Sequence, residues 1–574
     1  MILDKELIIW DKQADKIVRN TKNLYVPNFN RYQPMLAVSH VDNNGDTDIM
    51  YFELQLEDLF NWRYADTEER YYDTLYRETV NQIKPDDESK YLSWDRKPVK
   101  KKPCFWNKKL GGQLTIDLDS LNLTDSRMYE IIYDYDPTKV KTAPLYRLNK
   151  PKTLFWDIEV QVDDPRIFPD AKTTPGVVNC ISFCHHPNVT TFGNKPLTEQ
   201  EIFNIERDIN KHLHTEGSKV TDTYKFKYVY IENEVELILK FLMEVKKFTA
   251  FTGWNTDEYD WPYILNRLIA KSKMVPTKEN VDKIINNIFN NMTPLGGVTK
   301  SFNRDRDILV PNVRHKLNYD YMKVYRAYDR QIKFKENYSL DYTADRALGI
   351  KKVQHSLGFK ELYEQDYYSY ILYSAVDPII VEQIDKQLKT ADIMYTLGNL
   401  TGVEPHLTLR RVLTAEKTLL QYIYPKNLVF PLVFRNEKES TGSTDYEGAF
   451  VYNPVPGMYK YMLSFDFASL YPSTIREFNI SPDTLIGVDK ASRHAYLNSG
   501  DVVYDPHKHG TAPEKHQIKT ASGAIYTNEY KGILPEMLNF YYNERVKFKD
   551  LMKVAKQNAW DIEEEIRKRE KQKI

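Results

Sequence analysis

The 574 residues, 41% hydrophobic and 13% aromatic with 42 tyrosines, are too many for one core and too apolar for a disordered chain, so several globular domains are expected. A formal net charge of −1 excludes attraction of the whole molecule to nucleic acid and leaves only local patches for that purpose. Three cysteines cannot build a disulfide framework or a zinc site, and no stretch reaches the ~18 apolar residues of a membrane span, so the chain reads as cytoplasmic, with no membrane partner.

Residues 1–150 alternate short apolar runs such as Leu7–Trp10 and Ile49–Leu54 with polar turns, and a strand-rich domain is expected there. Within it, Arg96–Lys109 packs seven basic residues around Phe105 and Trp106. Charge for phosphate and rings for bases suit a single strand of nucleic acid, while a solvated loop fits the composition equally. At Pro151 the character changes. Thr153–Val160 reads as a central strand in which Asp157 and Glu159 share one face and Trp156, Ile158 and Val160 the other. Two carboxylates on one face repel each other unless a cation lies between them. Further on, Phe251–Ile264 contains a turn that opens a helix and supplies Asp260. Tyr370–Ile379 reads as a helix up to its proline, with Tyr373 and Asp377 one turn apart on one face.

Leu407–Leu420 has helical patterning, and a Ser/Thr/Gly-rich loop over 438–444 precedes Tyr446–Val451. Met462–Ser473 reads MLSFDFASLYPS: an apolar strand with one acid, Asp466, at its carboxyl end, after which the backbone turns. An acid there can hold a divalent cation while the following amides face a triphosphate. Residues 490–530 suggest loops and short strands. Gly532–Lys549 opens a helix on which Arg545 and Lys549 project from one side, a spacing that lets both reach one polyphosphate.

Several of these segments resemble motifs of the family B DNA polymerases, above all the T-even-like phage replicative type. DFASLYPS resembles motif A, TIREFNISPDTL resembles the sequence that follows it, and Tyr446–Val451 resembles the Y-x-G-(G/A) motif that tracks the template backbone. Thr153–Val160, Phe251–Ile264 and Tyr370–Ile379 resemble, in that order, the three motifs of the DEDDy 3′–5′ exonuclease fold, and Asn337–Lys352 resembles the segment before the third. The resemblance implies an α/β multidomain chain. Its parts would be an N-terminal domain (1–150), an RNase H-like exonuclease domain (151–385), the first half of a palm (386–530) and the start of the fingers (531–574). It also implies two Mg²⁺ or Mn²⁺ ions per active site. Asp157, Glu159, Asp260 and Asp377 would be the exonuclease ligands, Asn255 and Tyr259 would complete the second motif, and Tyr373 would orient the attacking water. In the palm, Asp466 and the Phe467 carbonyl would bind metal. The Leu470 and Tyr471 amides would meet the triphosphate, Tyr471 would exclude a ribose 2′-hydroxyl, and Arg545 and Lys549 would contact the incoming nucleotide. Hard oxygen ligands suit these ions.

Two polymerase elements of that family, a K-x3-N-S-x-Y-G helix and a D-T-D hairpin with the second metal aspartate, do not occur after Asp466; the chain's one D-T-D, Asp46–Asp48, lies in the N-terminal stretch far ahead of motif A. One carboxylate cannot hold two ions at the roughly 3.5–4 Å spacing of two-metal phosphoryl transfer. The expectation is therefore the larger part of a divided or truncated polymerase, with intact proofreading and a complementary chain carrying the missing motifs. Its partners would be primer-template DNA, single-stranded 3′ ends, deoxynucleoside triphosphates and a sliding clamp. The alternatives are a stand-alone 3′–5′ exonuclease with a vestigial palm and a non-catalytic DNA-binding subunit.

Overall fold

The computed structural model describes residues 2–14, 16–18, 32–53, 61–63, 102–104, 149–162, 169–272, 298–303, 308–329, 337–401, 403–423, 455–467, 469–490, 513–520 and 522–573. Arg96–Lys109, apart from the backbone of Lys102–Cys104, and the Tyr446–Val451 motif lie outside the described residues. The chain divides into two compact units: 1–55, 108–118 and 127–418 in the first, and 56–107, 119–126 and 419–574 in the second.

The first unit begins with β1 (Ile2–Asp11), β2 (Lys16–Val18), β3 (Tyr32–Val41) and β4 (Thr47–Glu53), an antiparallel sheet in the order β2-β1-β3-β4. Leu3, Ile8, Ala37, Val38, Ser39 and Val41 are buried among its described residues. The short β5 (Asn61–Arg63) and β6 (Lys102–Cys104) pair antiparallel in the second unit.

The centre of the first unit is a six-stranded mixed sheet. Its strands are β7 (Thr153–Gln161), β8 (Val177–His185), β9 (Asn188–Gly193), β10 (Lys225–Tyr230), β11 (Ala250–Gly253) and, after the hairpin of β12 (Val298–Asn303) and β13 (Ile308–Val313), β14 (Leu317–Asp320). Their order is β10-β9-β8-β7-β11-β14, with β7 antiparallel to β8 and parallel to β11. The helices are α1 (Glu199–Leu213), α2 (Glu234–Val245), α3 (Asp260–Lys271), α4 (Tyr321–Tyr328), α5 (Leu340–Leu348), α6 (Phe359–Gln365), α7 (Tyr367–Leu388) and α8 (Thr390–Thr401). A 3₁₀ turn, Pro405–Leu409, leads into α9 (Arg411–Ile423).

Strand alternation decides what each face of β7 meets. Leu154, Trp156, Ile158 and Val160 enter one core with Phe241 of α2 and Trp261 of α3. The Trp156 ring lies 4.9 Å from Phe241 and 4.8 Å from Trp261, centroid to centroid. Phe155 enters the other core, with Ile205 of α1 and Ile371, Ala375 and Ile379 of α7. Asp157 and Glu159, two and four residues after Phe155, therefore face the side that α7 covers. A buried polar seam holds α7 in register. The Ser374 hydroxyl meets the Ser182 hydroxyl at 2.8 Å and the Cys180 thiol at 3.1 Å, and Tyr370 donates to Asn179 Oδ1 at 2.7 Å.

The sequence suggests that α7 ends at its proline, yet the helix runs ten residues past Pro378. An interior proline costs about 3 kcal/mol through its missing N–H and its clash with the preceding turn. Ile379, Ile380, Val381 and Ile384 are all buried beyond it, and their burial, worth about 1.5–3 kcal/mol each, outweighs that cost.

In the second unit α10 (Leu470–Glu477) precedes a three-stranded antiparallel sheet, β15 (Leu485–Val488), β16 (Gln517–Lys519) and β17 (Ala524–Thr527), in the order β15-β17-β16. The 41-residue α11 (Ile533–Lys573) follows. Asn479, just past α10, donates to the Thr527 and Tyr530 carbonyls at 2.7 and 2.9 Å and accepts from the Gly532 N–H at 2.9 Å. Asp483 accepts from the Ile533 N–H at 3.2 Å. The segment after the acidic motif thus caps the start of α11. The expected strand at Met462–Asp466 is not formed: residues 455–467 have no regular structure, and Leu463, Phe465 and Phe467 are 81%, 89% and 76% exposed. A strand needs a neighbour for its N–H and C=O groups. Among the described residues this run has none.

Candidate active site

Three acids from two elements converge in the first unit. Asp157 and Glu159 project from β7 toward α7, which presents Asp377, and one carboxylate oxygen of each lies within 4.8 Å of the others. Asp260 heads α3 and accepts a hydrogen bond from the Ile158 N–H at 3.3 Å, between the two β7 acids in sequence. It is outside the close group of three, yet Asp157 is the charge that acts on it most strongly.

These carboxyls repel one another in a site with little water. Burial first, and then Asp377, pushes the Asp157 carboxyl up to about 7 against the opposing pull of Lys352. Burial also raises Glu159, with Asp157 and Asp377 adding to it, and burial with Asp157 raises Asp260. Asp377 is also raised by burial, opposed by Lys352. Oε1 of Glu159 and Oδ1 of Asp377 are buried without a hydrogen-bond partner. Unpartnered buried oxygens on neighbouring acids fit a hard divalent cation, which would satisfy the oxygens and neutralise the repulsion.

Lys352 is the residue that the sequence reading quoted without giving it a role. From the loop after α5 its Nζ reaches Asp377 Oδ2 at 2.5 Å and donates to the Tyr373 hydroxyl oxygen, also at 2.5 Å, while lying over the Tyr373 ring. Burial and the neighbouring Asp377 and Glu159 carboxylates raise the Tyr373 phenol well above its ordinary value, with Lys352 opposing. The phenol therefore keeps its proton, which is free to be donated because the hydroxyl oxygen already accepts from Lys352. His355 and Phe359 stand edge-on to the same ring, 5.5 and 5.6 Å away.

The predicted residues of the second unit form a looser group. Asp466 and Phe467 lie in the exposed irregular run. Ser469 adopts a left-handed backbone, φ +56°, and Leu470 and Tyr471 open α10, so their N–H groups belong to the first turn, which a helix cannot satisfy internally. Arg545 Nη1 donates to Ser469 Oγ at 3.3 Å, and Arg476 lies over the Tyr542 ring at 4.3 Å, which ties α10 to α11. Lys549 is one turn beyond Arg545, exposed on the same helix. Ser469, which Arg545 meets, follows Asp466 by three positions in the motif.

Comparison with known proteins matches two segments of the chain, and Lys352, Tyr373 and Asp377 fall between them. Residues 125–343 match the exonuclease domain of DNA polymerase family B, and residues 404–568 match DNA polymerase family B itself. The first match contains Asp157, Glu159 and Asp260, and the second contains Asp466, Arg545 and Lys549. The chain is 26% identical to a DNA-directed DNA polymerase of Escherichia phage RB69 over 77% of its length and 45% of the relative's. It is also 26% identical to the DNA-directed DNA polymerase of Enterobacteria phage T4, over 59% of its length and 35% of the relative's. A DNA polymerase of Pyrococcus glycovorans is 25% identical over 59% of the chain and 40% of its own length. The chain thus spans less than half the length of these relatives. Among the described residues no helix is long and apolar enough to cross a membrane.

Proposed function

Because the chain belongs to DNA polymerase family B, carrying its exonuclease domain and part of its polymerase domain, we propose that it removes nucleotides from the 3′ end of DNA with the acids of the first unit. The observation that carries this reading is the cluster of Asp157, Glu159 and Asp377 with its unpartnered buried oxygens. Asp157, Glu159, Asp260 and Asp377 would hold two Mg²⁺ or Mn²⁺ ions. Such ions supply charge stabilisation at the scissile phosphate and an activated water. Tyr373, kept protonated and already accepting from Lys352, would donate a hydrogen bond to that water and orient it while keeping its proton, and it would not act as a base. Lys352 fixes Tyr373 against Asp377 and supplies positive charge beside the phosphate that would enter.

The test is digestion of 3′-labelled single-stranded DNA with Mg²⁺. Shortening from the 3′ end is expected, and Asp157→Ala combined with Glu159→Ala should abolish it without unfolding the protein. Undiminished digestion by that double variant would overturn the assignment.

For the second unit we propose the nucleotide-binding side of a polymerase site. Asp466 and the Phe467 carbonyl would hold metal, the Leu470 and Tyr471 amides with Arg545 and Lys549 would hold the triphosphate, and Tyr471 would discriminate against ribose. The Arg545–Ser469 bond, which sets a cation beside the acidic motif, supports this reading. The D-T-D and K-x3-N-S-x-Y-G elements would come from further sequence, on this polypeptide or on a complementary chain, with primer-template DNA and a sliding clamp as the other partners. The work would take place in the cytoplasm.

A further inference from the structure

Asp320 ends β14, directly paired with Gly253 at the end of β11, and its side chain is 1% exposed. One of its oxygens, Oδ1, accepts from the Asn255 N–H at 3.1 Å and from the Met322 N–H of α4 at 2.9 Å. The other, Oδ2, is buried without a hydrogen-bond partner. Asn255 holds a left-handed backbone, φ +66°, which asparagine adopts more readily than other non-glycine residues and which turns the chain here. Its carbonyl in turn accepts from the Glu258 and Tyr259 N–H groups at 3.1 and 3.2 Å, and the Thr256 carbonyl accepts from the Trp261 N–H at 3.0 Å. This turn delivers Asp260 as the first residue of α3. A short path therefore runs from the Asp320 carboxylate through the Asn255 amide to the position of Asp260. On the far side, Asp257 of the same turn pairs with Lys323 of α4 at 2.8 Å, which braces the turn a second time from the element that Asp320 caps.

We propose that Asp320 is a positioning residue for the metal site: by accepting from the Asn255 amide it sets the turn that aims Asp260 at Asp157. Without that acceptor the Asn255 N–H is left buried and unpaired, the turn relaxes, and Asp260 no longer sits where a cation shared with Asp157 would need it. A helix cap alone would act on α4 and not on the metal. The inference rests on the cation site proposed above, so the test reads metal binding directly and not only DNA digestion.

The experiment is calorimetric titration of the full chain with Mn²⁺, accompanied by thermal melts. Asp320→Ala should weaken Mn²⁺ binding by 10-fold or more, in the range seen when partners that orient metal ligands are removed. Asp320→Asn keeps a neutral oxygen acceptor at the same place and should stay within about threefold of the wild type. Ser339→Ala removes the comparable cap of α5, whose hydroxyl accepts from the Tyr342 N–H at 3.2 Å, and should leave Mn²⁺ binding unchanged. Wild-type affinity in Asp320→Ala, or equal loss in the Asn and Ala variants, would overturn the assignment. If Asp320→Ala does not fold, Asp320→Ser, whose hydroxyl stops short of the Asn255 amide, makes the same comparison, and failure of both to fold would reduce Asp320 to a structural cap. A wild-type chain that binds no Mn²⁺ would sink the nuclease reading itself, and this inference with it.

Discussion

At the scale of single residues, the acids of the first unit are held in a protonation state that cation binding has to change. In the metal-free fold the Asp157 carboxyl keeps its proton up to about pH 7, whereas in the unfolded chain it loses it near pH 4. The folded state therefore binds more protons between those values. Asp157's contribution to stability is full at low pH and is lost as pH rises through about 7. Metal binding has the opposite slope, because the ligand must be ionised. Mn²⁺ affinity is expected to rise about 10-fold from pH 6 to pH 8 for each proton displaced, and titrations in buffers of different ionisation heat should show that proton being released. Lys352 gives a second prediction. Lys352→Met removes the cation that opposes the rise of Asp377, so the buried carboxyl either stays charged without a partner or takes up a proton, and the metal-free protein should lose up to about 3 kcal/mol in denaturant unfolding at neutral pH, with much of the loss restored by Mn²⁺. An unchanged midpoint would show that Lys352 is peripheral to the cluster.

At the scale of elements, local rules placed the four acids, and the resemblance to three exonuclease motifs supplied their expected role. Strand alternation put Asp157 and Glu159 on one face, the turn before a helix put Asp260 at its start, and one-turn spacing put Tyr373 beside Asp377. Lys352 and Asp320 could not be read in this way. Each acts across a long gap in sequence, and nothing local marks one lysine or one aspartate among the 80 basic and 81 acidic residues. The run at Met462–Asp466 shows the converse, since apolar residues of strand type specify a strand only where another strand lies beside them. Close packing of elements also carries a prediction. A Cβ at Gly253 would lie 2.2 Å from the Trp156 carbonyl oxygen, on the strand that carries Asp157. Backbone must move to admit it, so Gly253→Ala should cost about 1–3 kcal/mol and reduce DNA digestion at least 10-fold. Circular dichroism melts and a digestion time course would measure the two effects separately.

For the whole molecule, the two proposed activities differ in how many of their expected residues the 574 residues supply. The four acids of the proposed nuclease come from one unit and lie in two strand and helix layers, so this unit is expected to work without further sequence. On the polymerase side proposed for the second unit, Asp466 would be the one metal acid. Residues 1–574 are therefore expected to trim a primer in Mg²⁺ and to leave it unextended when all four deoxynucleoside triphosphates are supplied. Extension should appear on addition of a polypeptide bearing D-T-D and K-x3-N-S-x-Y-G, resolved on a denaturing gel. Extension by the 574 residues alone, or none after the addition, would count against the division of labour.

The ammonium group lodged between Asp377 and Tyr373 also bears on how the protein survives without its ions. A nest of like charges would ordinarily spring apart once a chelator strips it, and the chain would be lost with the ions. Here a built-in counter-charge remains behind, so treatment with EDTA should silence the nuclease while leaving the fold standing, and returning the ions should bring the activity back without a refolding step.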